Sequence, residues 1–165
     1  MFRRILIANR GEIAIRVARA CQELGVSAVG VYSTIDRNSY HLHFMDDAYW
    51  IGDSAPGESY LNITNIIDAA KASGAQAVHP GYGFLAENAS FAKACEENGL
   101  VFIGPDSKAL SLVGDKIASR NTAQKVNVPI IPGMQITDAD MRGFTEMAAK
   151  VGYPVIVKAS MGGGG

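Results

Sequence analysis

Short apolar runs alternate with helix-period segments along the first 104 residues, and glycine-bearing turns join them. Residues 4–9, 27–33, 47–52, 76–79 and 100–103 are brief and rich in Val, Ile and aromatics, the pattern of buried strands. Between them, residues 12–24 repeat Ile13, Val17, Cys21 and Leu24 at helical spacing. Residues 62–73 place Ile63, Ile66, Ile67 and Ala70 on one face, and residues 88–98 read as a third helix. Gly25, Gly74 and Gly99 end these three helices. Strand and helix in strict alternation predict parallel βαβ units, whose right-handed crossovers cover both faces of an open sheet. In such sheets ligands bind at the carboxyl ends of the strands.

The rhythm changes after residue 104. Residues 108–126 read as helical, 128–133 as a rigid extended stretch, 138–151 as a helix and 154–160 as a further β-run. A boundary is expected between residues 103 and 114, with a connector and the opening of a second domain behind it. A chain of 165 residues buries roughly 70% of its unfolded surface, enough for one good core. The run Gly162 to Gly165 loses much backbone entropy if ordered alone. It reads better as half of a loop, so the chain is expected to be a piece of a longer protein.

Charge narrows the function classes. Fifteen basic residues against 16 acidic give a net charge of -1, which argues against a nucleic-acid footprint but leaves room for a small anion. No apolar run reaches membrane-spanning length, and residues 1–8 are too short and too soon interrupted by Asn9-Arg10 for a signal peptide. Cys21 and Cys95 lie in helix patterns, read as small buried hydrophobes, and suggest neither a metal site nor a disulfide framework. A reducing compartment, the cytoplasm, is expected.

Four segments could carry chemistry. Ala8-Asn9-Arg10-Gly11-Glu12 joins a strand to a helix through one glycine, not the three of a dinucleotide fingerprint. It reads as a tight turn with Glu12 stabilising the helix amino end. Residues 79–88 set Tyr82 between Gly81 and Gly83 at a strand's carboxyl end, where the aromatic can meet a planar ligand or fill a surface groove. His79 is read as a hydrogen-bonded structural residue rather than a base. Gly114-Asp115-Lys116 is not a Walker A loop, and Lys116 alone reads as a solvated lysine opening a helix. Lys158 follows Val155, Ile156 and Val157 and precedes four glycines after Met161. A cation inside a buried strand needs an anion, and glycine amides can wrap phosphate oxygens, which points to nucleotide binding. The competing reading is an edge strand with a solvated lysine and a flexible linker.

Taken together, residues 5–14, Ser59-Tyr60-Leu61-Asn62-Ile63, residues 79–88, Gly114-Asp115-Lys116, and Gly152-Tyr153-Pro154 running to Lys158 and the glycines resemble biotin carboxylases in order and spacing along the whole chain. That family belongs to the ATP-grasp enzymes. The resemblance implies a Rossmann-like open parallel α/β sheet over residues 1–104, a helical connector over 105–132, and the beginning of an ATP-grasp lid over 133–165. It implies carboxylation of the biotin on a biotin carboxyl carrier protein, using ATP and bicarbonate with Mg2+ or Mn2+ and releasing ADP and phosphate. By motif, Lys116, Lys158, Gly164 and Gly165 would hold ATP, and Tyr82 would lie near biotin. Arg16, Arg19 and Glu23 would form the surface of a homodimer; solvated charges are the alternative. The family's metal ligands, bicarbonate site and catalytic base fall beyond residue 165, so no catalytic residue is assigned and the chain alone is expected to be inactive. The acyl acceptor (acetyl-CoA, propionyl-CoA or pyruvate) belongs to a different domain. Two other readings remain at this level: a different ATP-grasp ligase, and a non-catalytic α/β binding module.

Overall fold

Five strands pair edge to edge, all parallel, in the order β3-β2-β1-β4-β5. They are β1 (Arg4–Ile7), β2 (Ser27–Tyr32), β3 (Asp47–Trp50), β4 (Ala77–His79) and β5 (Val101–Phe102). The computed structural model describes residues 1–114, 116–134 and 143–157. They divide into two units, Met1–Ser111 and Leu112–Gly165.

β1 is the central strand because its side chains are apolar on both faces. Leu6 lies opposite Val29 and Val78 and, with Ala8 and Val31, packs under α2 (Ile63–Ala72) and α3 (Ala89–Glu97). Ile5 and Ile7 face the other way, onto Ala14, Val17, Ala18 and Cys21 of α1 (Gly11–Glu23). Helices thus cover both sheet faces, as continuous apolar strands require. Both cysteines are buried and unpaired, and burial pushes the Cys95 thiol up to about 12. Asn62 and Asn88 cap α2 and α3 by accepting hydrogen bonds from the amides of Asn65 and Phe91 at 3.1 and 2.9 Å.

The predicted strands and helices over residues 1–104 occur in their predicted order, each within two residues of its expected ends; α1 starts one residue early, at Gly11, and the others are trimmed. Three 3₁₀ turns, Thr34–Asp36, Tyr40–Phe44 and Pro56–Glu58, occupy stretches in which the sequence showed no periodicity. The Tyr40–Phe44 turn packs on α1, where the guanidinium of Arg19 lies 5.1 Å from the Phe44 ring centre.

α4 (Ser107–Gly114) follows β5, and Leu110 on it joins the core of the first unit. The second unit contains α5 (Lys116–Lys125), an extended stretch and α6 (Phe144–Val151). Arg120 on α5 donates to the carbonyls of Ile131 and Gly133 at 2.8 and 3.1 Å, fixing the extended stretch against the helix. The helix expected from residue 138 is described only from Phe144 onward. The expected β-run over 154–160 is corrected in its described part: residues 154–157 form no strand, and Ile156 and Val157 are 81% and 65% exposed. β-propensity reflects packing against neighbours, and no described strand lies beside this run.

Leu6 is fully buried at the centre of the sheet. Leu6→Ala is expected to cost about 2–5 kcal/mol, read as a lower urea midpoint of the cooperative transition. An unchanged midpoint would show that this core does not govern stability.

Candidate functional site at the sheet switch point

The chain leaves β1 toward β2 on one side and returns to β4 on the other, so a crevice opens beyond the carboxyl ends of β1 and β4. Two loops border it: residues 8–12, leading into α1, and residues 79–88, leading into α3. Asn9 joins them. Its side chain is buried, donates through Nδ2 to the carbonyls of Pro80 (2.7 Å) and Tyr82 (2.8 Å), and accepts at Oδ1 from the Arg10 amide (2.9 Å). Gly81 passes against it with φ +67, and a Cβ there would lie 2.7 Å from Asn9 Nδ2. Glycine is the residue type that allows both this conformation and this approach.

Tyr82 is 61% exposed at the crevice. Its hydroxyl donates to Glu12 Oε1, and that bond, with a smaller contribution from burial, raises the phenol pKa. Glu12 therefore has a second role beyond the helix amino end. His79 is half-buried; its Nδ1 accepts from the Gly81 amide at 3.0 Å, and burial lowers its pKa. The structural reading of His79 fits this geometry.

Sequence reasoning missed the group that anchors the crevice wall. Asp36 is 3% exposed and receives five hydrogen bonds. Arg10 donates from Nε and Nη2 at 2.8 and 2.6 Å, Ser33 and Ser39 from their hydroxyls at 3.0 and 2.9 Å, and Tyr60 from its hydroxyl at 2.9 Å. Burial alone would raise the Asp36 pKa, but these donors outweigh it and hold the carboxyl well below the usual carboxylate range. The Tyr60 phenol is pushed up to about 12, first by burial and then by Asp36. The available signal was local: Ser33 and Ser39 flank Asp36 at three residues on either side, a spacing that brings hydroxyls round a turn.

Of the other expected site residues, Arg16, Arg19 and Glu23 lie together on the outer face of α1, lining a shallow groove of about 540 Å³ with Glu12, Ile15 and Ala20. Lys116 opens α5, but only its backbone is described. Lys158, Gly164 and Gly165 lie outside the described residues. Among the described residues no group of three or more His, Cys, Asp or Glu side chains could hold a metal ion. No described helix is long and apolar enough to cross a membrane.

Residues 1–110 match the family model for the biotin carboxylase N-terminal domain. The chain belongs to that family. Residues 115–165 match the ATP-binding domain of the carbamoyl-phosphate synthase L chain. Biotin carboxylase 1 of Bacillus subtilis is 50% identical over 165 residues, covering 100% of this chain and 37% of that protein. The biotin carboxylase of Nostoc sp. is also 50% identical, over 99% of this chain and 37% of its own length. The chain thus spans little more than a third of the length of these curated relatives. Among solved structures, the biotin carboxylase domain dimer of Hydrogenobacter thermophilus 2-oxoglutarate carboxylase, in complex with MgADP, ADP and bicarbonate, aligns with a TM-score of 0.92 at 48% identity. That alignment covers 99% of this chain and 36% of that one. Rhizobium etli pyruvate carboxylase aligns at 0.89 and 44% identity over 99% of this chain and 15% of its own.

In this domain Asp36 links stability to pH. Its folded pKa lies below the unfolded value of about 3.9, so its contribution is present above about pH 4 and is lost as pH falls further. Removing one partner of a buried ion pair costs roughly 3–5 kcal/mol; because the Arg10 side chain is 48% exposed, Asp36→Asn is expected to cost about 2–3 kcal/mol at neutral pH. Urea midpoints across the acid range should show a shallower acid loss in Asp36→Asn than in the parent. Equal midpoints and equal slopes would remove Asp36 from this role.

Proposed function

We propose that the chain is the amino-terminal part of a biotin carboxylase, which carboxylates the biotin of a carrier protein using ATP and bicarbonate and releases ADP and phosphate. The observation that carries the reading is Tyr82: an exposed ring between two positive-φ glycines, at the switch point of a sheet whose sequence is half-identical to proteins of that name. Tyr82 borders the biotin. Lys116, Lys158, Gly164 and Gly165 grip the ATP. The family resemblance assigns the ligands of Mg2+ or Mn2+ to the remainder of the protein, and no step is routed through the metal. Residues 1–104 serve as the sheet domain, 105–132 as connector and 133–165 as the opening of the ATP-grasp lid. The choice of acyl acceptor lies in another part of the protein, and the site of action is the cytoplasm.

A homodimer forms through the outer face of α1. Arg16, Arg19 and Glu23 gather there round one groove, so charges of both signs are available for a two-fold, self-complementary contact. The biotin carboxylase domain of the Hydrogenobacter protein, a dimer, supports this reading.

Two measurements test these statements. In the intact protein, Tyr82→Ala is expected to raise the KM for free biotin about tenfold, the value of one stacking contact of about 1.4 kcal/mol, while the 165-residue chain alone releases no phosphate from ATP above background. An unchanged KM would remove Tyr82 from the biotin site, and turnover by the short chain would overturn the assignment of the catalytic residues elsewhere. For the dimer, Arg19→Glu should shift the intact protein toward monomer in sedimentation velocity; an unshifted boundary would refute the α1 contact.

A further inference from the structure

Beside the Glu12 and His79 hydrogen bonds, two further contacts hold the loop that presents Tyr82. Asn9 grips it by the carbonyls of Pro80 and Tyr82. On the far side stands Phe84, whose ring stacks on Tyr60 at 5.0 Å between centres and 10° between planes. Phe84 has φ +39, a conformation that non-glycine residues adopt only where their surroundings impose it. Tyr60 is 2% exposed and fully committed: its hydroxyl donates to Asp36 Oδ2 and accepts from the Ser33 amide at 3.3 Å. The ring that Phe84 meets is therefore fixed by the same carboxylate that fixes Arg10, and Arg10 is the chain neighbour of Asn9. One support is thus fixed by the half-buried Arg10–Asp36 ion pair, and the other, Asn9, is its chain neighbour.

Only Gly83 separates Phe84 from Tyr82, and Gly83 is itself at φ +67. The turn built from Gly81, Gly83 and Phe84 at positive φ is closed at its far end by backbone hydrogen bonds, from the Ala86 amide to the Gly83 carbonyl at 2.8 Å and from the Asn88 amide to the Leu85 carbonyl at 3.0 Å. The side-chain contacts of Asn9 and Tyr60 add to those bonds in setting the direction in which Tyr82 leaves the turn. We propose that Tyr60 and Phe84 form a positioning pair for Tyr82, with the Arg10–Asp36 ion pair as the fixed point from which Tyr60 acts. The proposal rests on the reading of Tyr82 as the residue beside biotin and adds to it the group that orients the ring. Neither member of the pair touches the substrate.

The test uses Phe84→Leu, because Phe84 is 38% exposed and its loss leaves the core intact. Tyr60→Phe serves as the conservative variant that keeps the ring and loses the bond to Asp36, and Tyr82→Ala as the reference. In the intact protein Phe84→Leu should raise the KM for free biotin about tenfold, the size of one lost aromatic pair, while the KM for ATP stays unchanged. Amide hydrogen exchange at residues 81–84 should accelerate while β1 and β4 stay protected. Tyr60→Phe should fall between the parent and Phe84→Leu in both readouts. A merely structural role would lower stability and leave the ratio of the two KM values alone. Unchanged exchange in the loop overturns the pair whatever the kinetics show. Faster exchange with an unchanged KM for biotin, beside a raised KM in Tyr82→Ala, overturns the positioning role. If Tyr82→Ala itself leaves that KM unchanged, the biotin reading fails, and the exchange data alone decide whether the pair holds the loop.

Discussion

A carboxylate out of reach of water must be met by donors or it will not stay charged. Asp36 meets that condition with five, and the condition organises the neighbourhood. Three of the donors come from residues that the chain has to bring back from elsewhere: Arg10 twice, from the turn after β1, and Tyr60, from the segment before α2. The other two, Ser33 and Ser39, curl the backbone round the anion and account for the Thr34–Asp36 turn. The loop after β2, the start of α1 and the approach to α2 thus share one electrostatic anchor. In the second unit the described ties are of another kind, neutral carbonyls meeting the Arg120 guanidinium and the Ser119 hydroxyl.

α1 shows how one helix can serve three surfaces. Its inner stripe, Ala14, Val17, Ala18 and Cys21, closes one face of the sheet. Its first turn supplies Glu12 to Tyr82. Its outer side carries Arg16, Arg19 and Glu23, with Arg19 braced on Phe44. The 3.6-residue period separates these jobs.

Much of the sheet was legible because buried parallel strands are continuous apolar runs and each helix ends at a glycine. The crevice was legible too, since Tyr82 between glycines at a strand's end stands out in any βαβ pattern. The anchor was not. Arg10 and Asp36 are 26 residues apart, and a 3₁₀ turn shaped by one ion has no periodicity to detect. Glu12 read as a helix-end charge because local rules cannot show a partner 70 residues away. The run before Lys158 misled for a related reason. Val155, Ile156 and Val157 have the composition of a strand, but a strand also needs a neighbour, and composition does not supply one.

The contact between Gly81 and His79 has a consequence for the imidazole. A backbone amide can only donate, so Nδ1 must be the bare nitrogen and the single ring proton sits on Nε2. The histidine is thereby locked into one tautomer for as long as the loop keeps its shape. In that state the ring offers Nε2–H as a donor and has no free lone pair to bind a cation or accept a proton, and opening the loop is what would return that lone pair to use.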